Sequence, residues 1–173
     1  MKKIIIVIFI AIFLLNLKNI KGEEILIPDE AIRLRVIANS NTDYDQNIKL
    51  KVRDSVQNVM YNLLKDVTDI NQARLIINNN LELIDDNIKN ILSQNNYLLN
   101  YSLNFGNHYF PEKKYKGITY EEGIYESLLI TLGKGEGNNW WCVLFPPLCL
   151  IEAEESDEVE YKFFVQELIE KYF

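Results

Sequence analysis

The residues best suited to chemistry lie in one stretch, Trp140 to Cys149, whose sequence is Trp-Trp-Cys-Val-Leu-Phe-Pro-Pro-Leu-Cys. Its two cysteines are the only ones in the chain, and outside the cytoplasm such a pair forms a disulfide more readily than a metal site. Seven residues of extended chain would separate their Cα atoms by more than about 20 Å, whereas a disulfide needs roughly 4.4–6.8 Å. We therefore predict a Cys142–Cys149 disulfide if Pro146-Pro147 reverse the chain; two small buried thiols are the alternative.

The same stretch concentrates large apolar side chains beside its turn. Alternation along a strand would send Trp140 and Trp141 to opposite faces of a sheet. One of them then needs a cover, which is either a helix of this chain or a binding partner, because aromatic side chains are frequent at binding hot spots. Both tryptophans are therefore candidate partner-binding residues.

Other groups in the chain favour structure over catalysis. His108 is the only histidine, so a His-rich metal site is excluded. A Ser-His-Asp triad could use only this histidine. The three alternating glycines from Gly133 to Gly137 are followed by neither Lys-Ser/Thr nor a helix, so they indicate a flexible hairpin loop and not a phosphate site. Acidic pairs such as Asp85-Asp86 lie in polar surroundings that would not raise a pKa. We predict no catalytic residue, no metal and no cofactor.

The first residues of the chain indicate export. Lys2 and Lys3 precede an unbroken apolar run, Ile4–Leu15, and a polar segment, Asn16–Gly22, which is the pattern of a secretory leader. The apolar run is short for a membrane span, which needs about 20 residues. No small-x-small triplet marks a cleavage site, so we predict that residues 1–22 are a leader or a short N-terminal anchor.

The charge and length of residues 23–173 limit the classes of partner and the number of domains. Without residues 1–22, which carry four of the 18 basic residues and no acidic ones, the net charge falls from −7 to −11. Such a balance repels nucleic acid and anionic lipid head groups and favours a basic partner surface. We expect no nucleic-acid partner, and membrane contact only through an uncleaved leader. The length supports one hydrophobic core, so residues 23–173 are predicted to form a single domain.

The element that positions the candidate residues begins near residue 32. Apolar residues alternate with arginines over Ile32–Val36, which predicts a half-buried strand. The short polar side chains of Asn39–Thr42 predict a turn. Asp43 is the predicted helix N-cap, with Gln46 completing a capping box, and the helix continues to about Val67.

A longer helix is predicted to follow from Thr68 or Asp69. Its apolar residues recur at alternating spacings of three and four, which is typical of a packed helical stripe. They are Ile70, Ala73, Ile77, Leu81, Ile84, Ile88 and Ile91. A short connection predicts that the two helices pack antiparallel, although Asn78-Asn79-Asn80 are poor helix formers.

Strands dominate the second half of the chain. Tyr97–Phe105 alternates cleanly, and Pro111–Gly117 indicates an exposed excursion. Ile124–Leu132 and Trp140–Phe145 predict two strands joined as an antiparallel hairpin through Gly133–Asn139.

The last residues complete the predicted fold. The acidic stretch Glu152–Glu158 predicts a solvated linker, and Val159–Phe173 favours an amphipathic helix over a competing strand at Val159–Val165. The predicted class is α+β: two antiparallel helices packed on a mixed or antiparallel sheet, with a C-terminal amphipathic segment.

Two motifs resemble one known family. VIANSNTDYDQNIKLKVRD, residues 36–54, and NWWCVLFPPLC, residues 139–149, resemble the stage II sporulation protein R family, secreted signalling proteins of endospore-forming bacteria. Two departures are Arg35, where the family often has His, and Asn41–Tyr44, where an acidic turn is commoner. The resemblance implies a protein made in the forespore and exported into the space between two membranes. There it would activate a membrane-embedded aspartic protease of the mother cell, the peptidase that cleaves the pro-form of sigma factor E.

The candidate contact residues for such a partner lie on the turn and on the Trp-Cys stretch. On the turn they are Asn39, Ser40, Asp43 and Asp45, and on the stretch they are Trp140 and Trp141. Two other functions remain as alternatives: a generic exported binding or structural domain, which a deep apolar pocket would favour, and a secreted carboxylate-dependent hydrolase, which a cleft with converging carboxylates would favour.

Overall fold

The computed structural model describes residues 30–115, 118–150, 165–167 and 169–172. Residues 1–22, with their predicted leader, and the predicted linker Glu152–Glu158 lie outside this part of the chain. The strands are β1 (Ile32–Ile37), β2 (Tyr101–Phe110), β3 (Lys113–Tyr115), β4 (Ile118–Tyr120), β5 (Gly123–Leu132) and β6 (Asn139–Phe145). The helices are α1 (Asp43–Leu64), α2 (Ile70–Asn79) and α3 (Leu81–Gln94), and a 3-10 turn covers Leu148–Leu150. The predicted α+β class is confirmed.

Four strands form a mixed sheet in the order β2-β5-β1-β6. Strand β1 runs parallel to β5 and antiparallel to β6, while β2 and β5 pair antiparallel along their whole length. The predicted hairpin of β5 and β6 is therefore wrong, because β1 lies between them. The backbone of β1 is hydrogen-bonded to a neighbouring strand on both sides. The connection from β5 to β6 passes over the end of β1 and spans two inter-strand spacings, about 10 Å.

One face of the sheet carries the main core under the helices. Ile32, Leu34 and Val36 of β1 are fully buried there against α1, α2 and α3. Leu128, Ile130 and Leu132 of β5 are fully buried beside them. In this core α1 contacts the helices α2 and α3 and the strands β1 and β6. The predicted apolar stripe of the second helix does face this core. Its members Ala73, Ile77, Ile84 and Ile88 are fully buried.

That second helix is nevertheless broken in two. Asn80 has φ −116° and ψ 15°, outside the helical region, so that α2 ends at Asn79 and α3 starts at Leu81. The Asn80 side chain donates from Nδ2 to the carbonyl of Ile76 at 2.8 Å. The prediction of one long helix is wrong here because asparagine competes for the backbone carbonyls that a helix needs.

The boundaries of α1 also differ from prediction. The N-cap is Thr42, not Asp43: its backbone is extended and its Oγ1 accepts from the backbone N–H of Asp45 at 3.3 Å. Gln46 does not complete a capping box, since its Nε2 donates to the carbonyl of Ser40 at 2.9 Å. The helix ends at Leu64, three residues before the predicted end. Asp69, one of the two residues predicted to start the second helix, caps α2 by accepting from the N–H of Gln72.

Strand β2 begins at Tyr101, four residues later than the alternation predicts. Tyr97 is buried in the main core, but Leu98 and Leu99 are exposed, so the alternation of side chains before Tyr101 is not that of a paired strand. A residue of positive φ, Asn96, turns the chain between α3 and this segment.

The opposite face of the sheet carries a second, smaller core. It lies against the β3–β4 hairpin and the helical residues 165–167 and 169–172. Its buried members include Phe110, Ile118, Tyr120, Tyr125, Trp141, Val143, Leu148 and Val165. The helical interpretation of the C-terminus is confirmed for those residues, whereas 159–164 lie outside the described ranges.

Arg33 is buried in this second core, so β1 is not half-buried as predicted. Its side chain is only 1% exposed, and its guanidinium carbon lies 3.3 Å from the ring centroid of Tyr125. The rings of Phe110 and Trp141 lie within 5.4 Å of the same carbon. The cation packs on aromatic faces, whose electron density attracts it. A charged residue thus occupies an interior position on a strand with two covered faces.

Candidate binding surfaces

The predicted turn and the glycine segment form one bonded surface feature. We call residues 39–45 together with residues 133–138 the double loop. Asn39 Oδ1 accepts from the backbone N–H of Lys134 at 3.0 Å, and Asn41 Oδ1 accepts from that of Asn138 at 2.7 Å. Backbone bonds from Glu136 to the carbonyl of Asn39 and from Gly137 to that of Ala38 complete the contact. The glycine segment is therefore not the flexible hairpin loop that its composition predicts.

Gly137 makes this close approach possible. A Cβ at this position would overlap the backbone carbonyl of Ser40. Gly133 and Gly135 have φ of 56° and 67°, in the left-handed region that favours glycine. Gly133 and Gly137 thus let the two loops pack closely, since a Cβ at Gly133 would overlap the Asn39 side chain.

A buried carboxylate organises the turn from within. Asp45 is 6% exposed, and its Oδ2 accepts from Ser40 Oγ at 2.6 Å and from Asn39 Nδ2 at 2.8 Å. The bond from Ser40 is the largest cause that lowers the pKa of Asp45, and the bonds from Asn39 and Thr42 add to it against the opposing effect of burial. Three of the four predicted turn residues are thus bonded to one another, while Asp43 is exposed at the start of α1.

The predicted disulfide forms. The Cα atoms of Cys142 and Cys149 lie 5.5 Å apart, and the chain reverses between them at Pro146-Pro147. We call residues 140–149 the ledge. The Nε2 of Gln57 on α1 donates to the carbonyl of Cys149 at 2.8 Å, which fastens the end of the ledge to that helix.

The two tryptophans do point to opposite faces, and this chain covers both in part or whole. Trp140 is half-buried on the helix side, with the guanidinium carbon of Arg53 5.1 Å from its ring. Trp141 is 8% exposed in the second core, edge-on to Phe110 and Tyr120. Trp140 is accordingly the tryptophan that retains exposed surface.

Side chains along one stripe of α1 contact both the double loop and the ledge. Lys49 is buried and donates from Nζ to the carbonyl of Asn138 at 3.3 Å, so it touches the double loop. Burial is the first cause that lowers the pKa of Lys49, and the nearby charges of Arg53 and Lys113 follow. Lys49, Arg53 and Gln57 recur every four residues, over about 12 Å of helix. The double loop and the ledge are therefore parts of one strip along α1 and β6, a relation that spacing along the sequence does not show.

His108 is built into the sheet and does not form a catalytic triad. Its Nδ1 lies 2.7 Å from Ser127 Oγ and its Nε2 lies 2.9 Å from Asn104 Oδ1, so neither nitrogen contacts a carboxylate. Ser127 is 0% exposed, which removes its hydroxyl from any substrate. Burial lowers the pKa of His108, and the charge of Arg35 acts in the same direction.

A groove between α3 and β2 is a feature that the sequence did not indicate. It is a largely open groove of about 630 Å³, lined by Leu81, Glu82, Asp85, Lys89, Tyr101 and Leu103. Tyr101 donates its hydroxyl to Asp85 Oδ1 at 2.5 Å, and Lys89 Nζ lies 2.6 Å from Asp85 Oδ2. The bonds from Lys89 and then Tyr101 lower the pKa of Asp85, so this carboxyl stays ionised and is unsuited to donate a proton. Of its lining residues only Leu81 belongs to the predicted apolar stripe, and that stripe does not reveal a groove.

The described residues contain neither a metal-binding cluster nor a membrane-spanning helix. Within ranges 30–115, 118–150, 165–167 and 169–172, no three or more His, Cys, Asp and Glu side chains are grouped so that they could hold a metal ion. No helix in these ranges combines the length and apolar character that crossing a bilayer requires.

The arrangement is that of an α+β domain in which the double loop and the ledge are bonded to one helix. The model of the family described as stage II sporulation protein R matches residues 28–155, so the chain belongs to that family. It is 41% identical over 140 residues to the stage II sporulation protein R of Bacillus subtilis (strain 168), which is 81% of this chain. The match spans 62% of the length of that relative. No solved structure shows a significant match.

Proposed function

We propose that the chain is an exported signal that activates a membrane-embedded aspartic protease, the peptidase that processes the pro-form of sigma factor E. Membership of the stage II sporulation protein R family gives the chain a role in sporulation. The protease as partner, the forespore as source and the intermembrane space as place of action follow from the resemblance of the two motifs and are part of the proposal.

The observation that carries the proposal is the strip formed by the double loop and the ledge. A surface that is bonded before it meets a partner loses little conformational entropy on binding, which favours affinity. Lys49, Arg53 and Gln57 fasten both parts to one helix, and the disulfide closes the ledge. These contacts support a ligand that presents a fixed surface.

Export is supported by two independent features. The Cys142–Cys149 disulfide suits a compartment outside the reducing cytoplasm. Residues 1–22 have the basic start and apolar run of a secretory leader. We propose that they direct the chain across the cytoplasmic membrane, and that only an uncleaved leader would hold it there.

We assign no reaction to the chain itself. Both nitrogens of His108 are bonded within the sheet, and Asp85 is held ionised by Lys89 and Tyr101. Activation would then follow from binding, which shifts the protease toward an active assembly only if the chain binds that state more tightly.

Co-expression in a non-sporulating bacterium tests the proposal. The host would carry the protease and the pro-form of sigma factor E, with the full chain, with a chain lacking residues 1–22, or with neither. We expect processing only with the full chain, because the shortened chain stays on the wrong side of the membrane. Equal processing without any chain would refute activation, and equal processing with the shortened chain would refute the export requirement.

A further inference from the structure

The opposite edge of the sheet has the features of a second contact site. Strand β2 is the edge strand next to β5, and no other strand among the described residues pairs with its outer side. It is ten residues long, YSLNFGNHYF, with no proline and no Asp, Glu, Lys or Arg. Proteins usually protect a long edge strand with charges, prolines or a covering element, because its free backbone groups pair readily with another strand. Strand β2 lacks the first two protections.

Exposed apolar side chains flank this edge at both ends. Leu98, three residues before the start of β2, is 93% exposed, and Leu99 is also exposed. At the other end Tyr109 is exposed beside Ile124, its cross-strand neighbour, which is 72% exposed. Leu98 and Ile124 are the most exposed large apolar side chains of the described residues. Apolar surface concentrated along one edge marks a site of protein interaction.

The groove between α3 and β2 adds chemical selectivity to the edge. Tyr101 and Leu103, on the helix side of β2, form one wall, so side chains of a strand added to β2 would reach the groove. Its apolar walls are Leu81 and Leu103, and its charges are the carboxylates of Glu82 and Asp85 against the single ammonium of Lys89. A long basic side chain fits such a site, because its aliphatic stem packs on leucines while its cation meets carboxylates.

We propose that β2 receives an extended segment of the partner protein as an added strand, with a Lys or Arg side chain of that segment in the groove. This inference rests on the proposed function and names a second contact for the same partner. A second copy of this chain is a poorer occupant of the edge, because two chains of net charge −7 repel each other. The β2 strand of a second copy also has no Lys or Arg to place in the groove, and the pKa of its one histidine is lowered.

Two variants of the full chain test the proposal in the co-expression assay. The double variant Ser102→Lys with Asn107→Lys places charges on exposed positions of the edge strand, which deters strand addition. Glu82→Lys reverses an exposed charge at the groove without altering the strand. Asp66→Lys, beyond the end of α1, is the matched control for the change of charge.

We expect each edge or groove variant to reduce processing by at least about tenfold, because like charges across an interface oppose binding. Asp66→Lys should stay within about twofold of the unaltered chain, as is usual for surface substitutions away from contacts. Circular dichroism and the amount of exported protein would verify folding, and Glu82→Lys keeps the test valid if the double variant fails to fold.

The outcomes separate this inference from the proposed function. If the unaltered chain supports processing and Glu82→Lys does so equally, the basic side chain in the groove is refuted, and equal processing by the folded double variant refutes the added strand; activation stands in both cases. If the unaltered chain gives no processing, both fail. A stable dimer of the purified full chain in sedimentation velocity that the double variant dissociates would replace the partner segment with a second copy, and would overturn the inference.

Discussion

Replacement of Gly137 by alanine tests whether the double loop is a single bonded unit. The new Cβ would overlap the backbone carbonyl of Ser40, which no side-chain rotation can relieve. Separating the loops weakens the bonds from Gly137 to Ala38 and from Glu136 to Asn39. Overpacking costs typically about 1–3 kcal/mol and each of the two bonds about 1 kcal/mol, so we expect a loss of about 3–5 kcal/mol in the free energy of unfolding.

Gly106→Ala is the matched control for this substitution. Its Cβ would have Asn104 Oδ1 as nearest neighbour at 3.4 Å, and the backbone of Gly106 is not in the left-handed region. We expect a change within about 1 kcal/mol, because alanine also restricts the unfolded chain. Urea unfolding of both variants by circular dichroism measures the difference. Equal stability of the two variants would refute the close packing of the loops, and Gly137→Ala should also lower processing in the co-expression assay.

Three further predictions concern the buried carboxylate, the disulfide and the ledge. Asp45→Asn should cost about 1–3 kcal/mol at pH 7. Since the pKa of Asp45 is lowered in the fold, its stabilisation is present above the ordinary Asp pKa and is lost as the pH falls through the lowered value; the variant should lose this part of the acid dependence in urea titrations. Cys142→Ser with Cys149→Ser should destabilise by about 2–3 kcal/mol, and reductant should then leave the variant's unfolding midpoint unchanged. Trp140→Ala should reduce processing at least about tenfold in a folded chain; normal processing would exclude the ledge from the contact.

Local patterns predicted much of the fold. Strand β1, helix α1 and the later strands each show their period within a few residues, and the Asp69 cap follows from its own neighbours. The disulfide was predictable because only two cysteines exist and two prolines separate them. Each of these signals is carried by residues that are close in sequence.

The errors in strand order, strand burial and loop flexibility share a physical origin in contacts between distant residues. Insertion of β1 between β5 and β6 depends on pairing across about a hundred residues, which alternation does not encode. Burial of Arg33 depends on Tyr125 and Trp141. The bonds that fix the glycine segment come from Asn39 and Asn41, so its composition alone indicated flexibility.

For the candidate contact residues, too, the local clusters were predictable from the sequence and the contacts between distant residues were not. The turn and the ledge were recognisable as polar and aromatic clusters, but their union along one stripe of α1 required the packing of Lys49, Arg53 and Gln57 against distant loops. The edge of β2 and its groove gave no sequence signal, because an edge strand is defined by the strand that does not pair with it.

Titration of the purified chain into membranes that contain the protease and the pro-form of sigma factor E tests most directly whether the chain acts by binding. Processing should rise with added chain and reach a plateau, and it should vanish when the catalytic aspartate of the protease is replaced. Processing that continues with the inactive protease would show that the chain performs the cleavage, and no response at any concentration would show that it is not the activator.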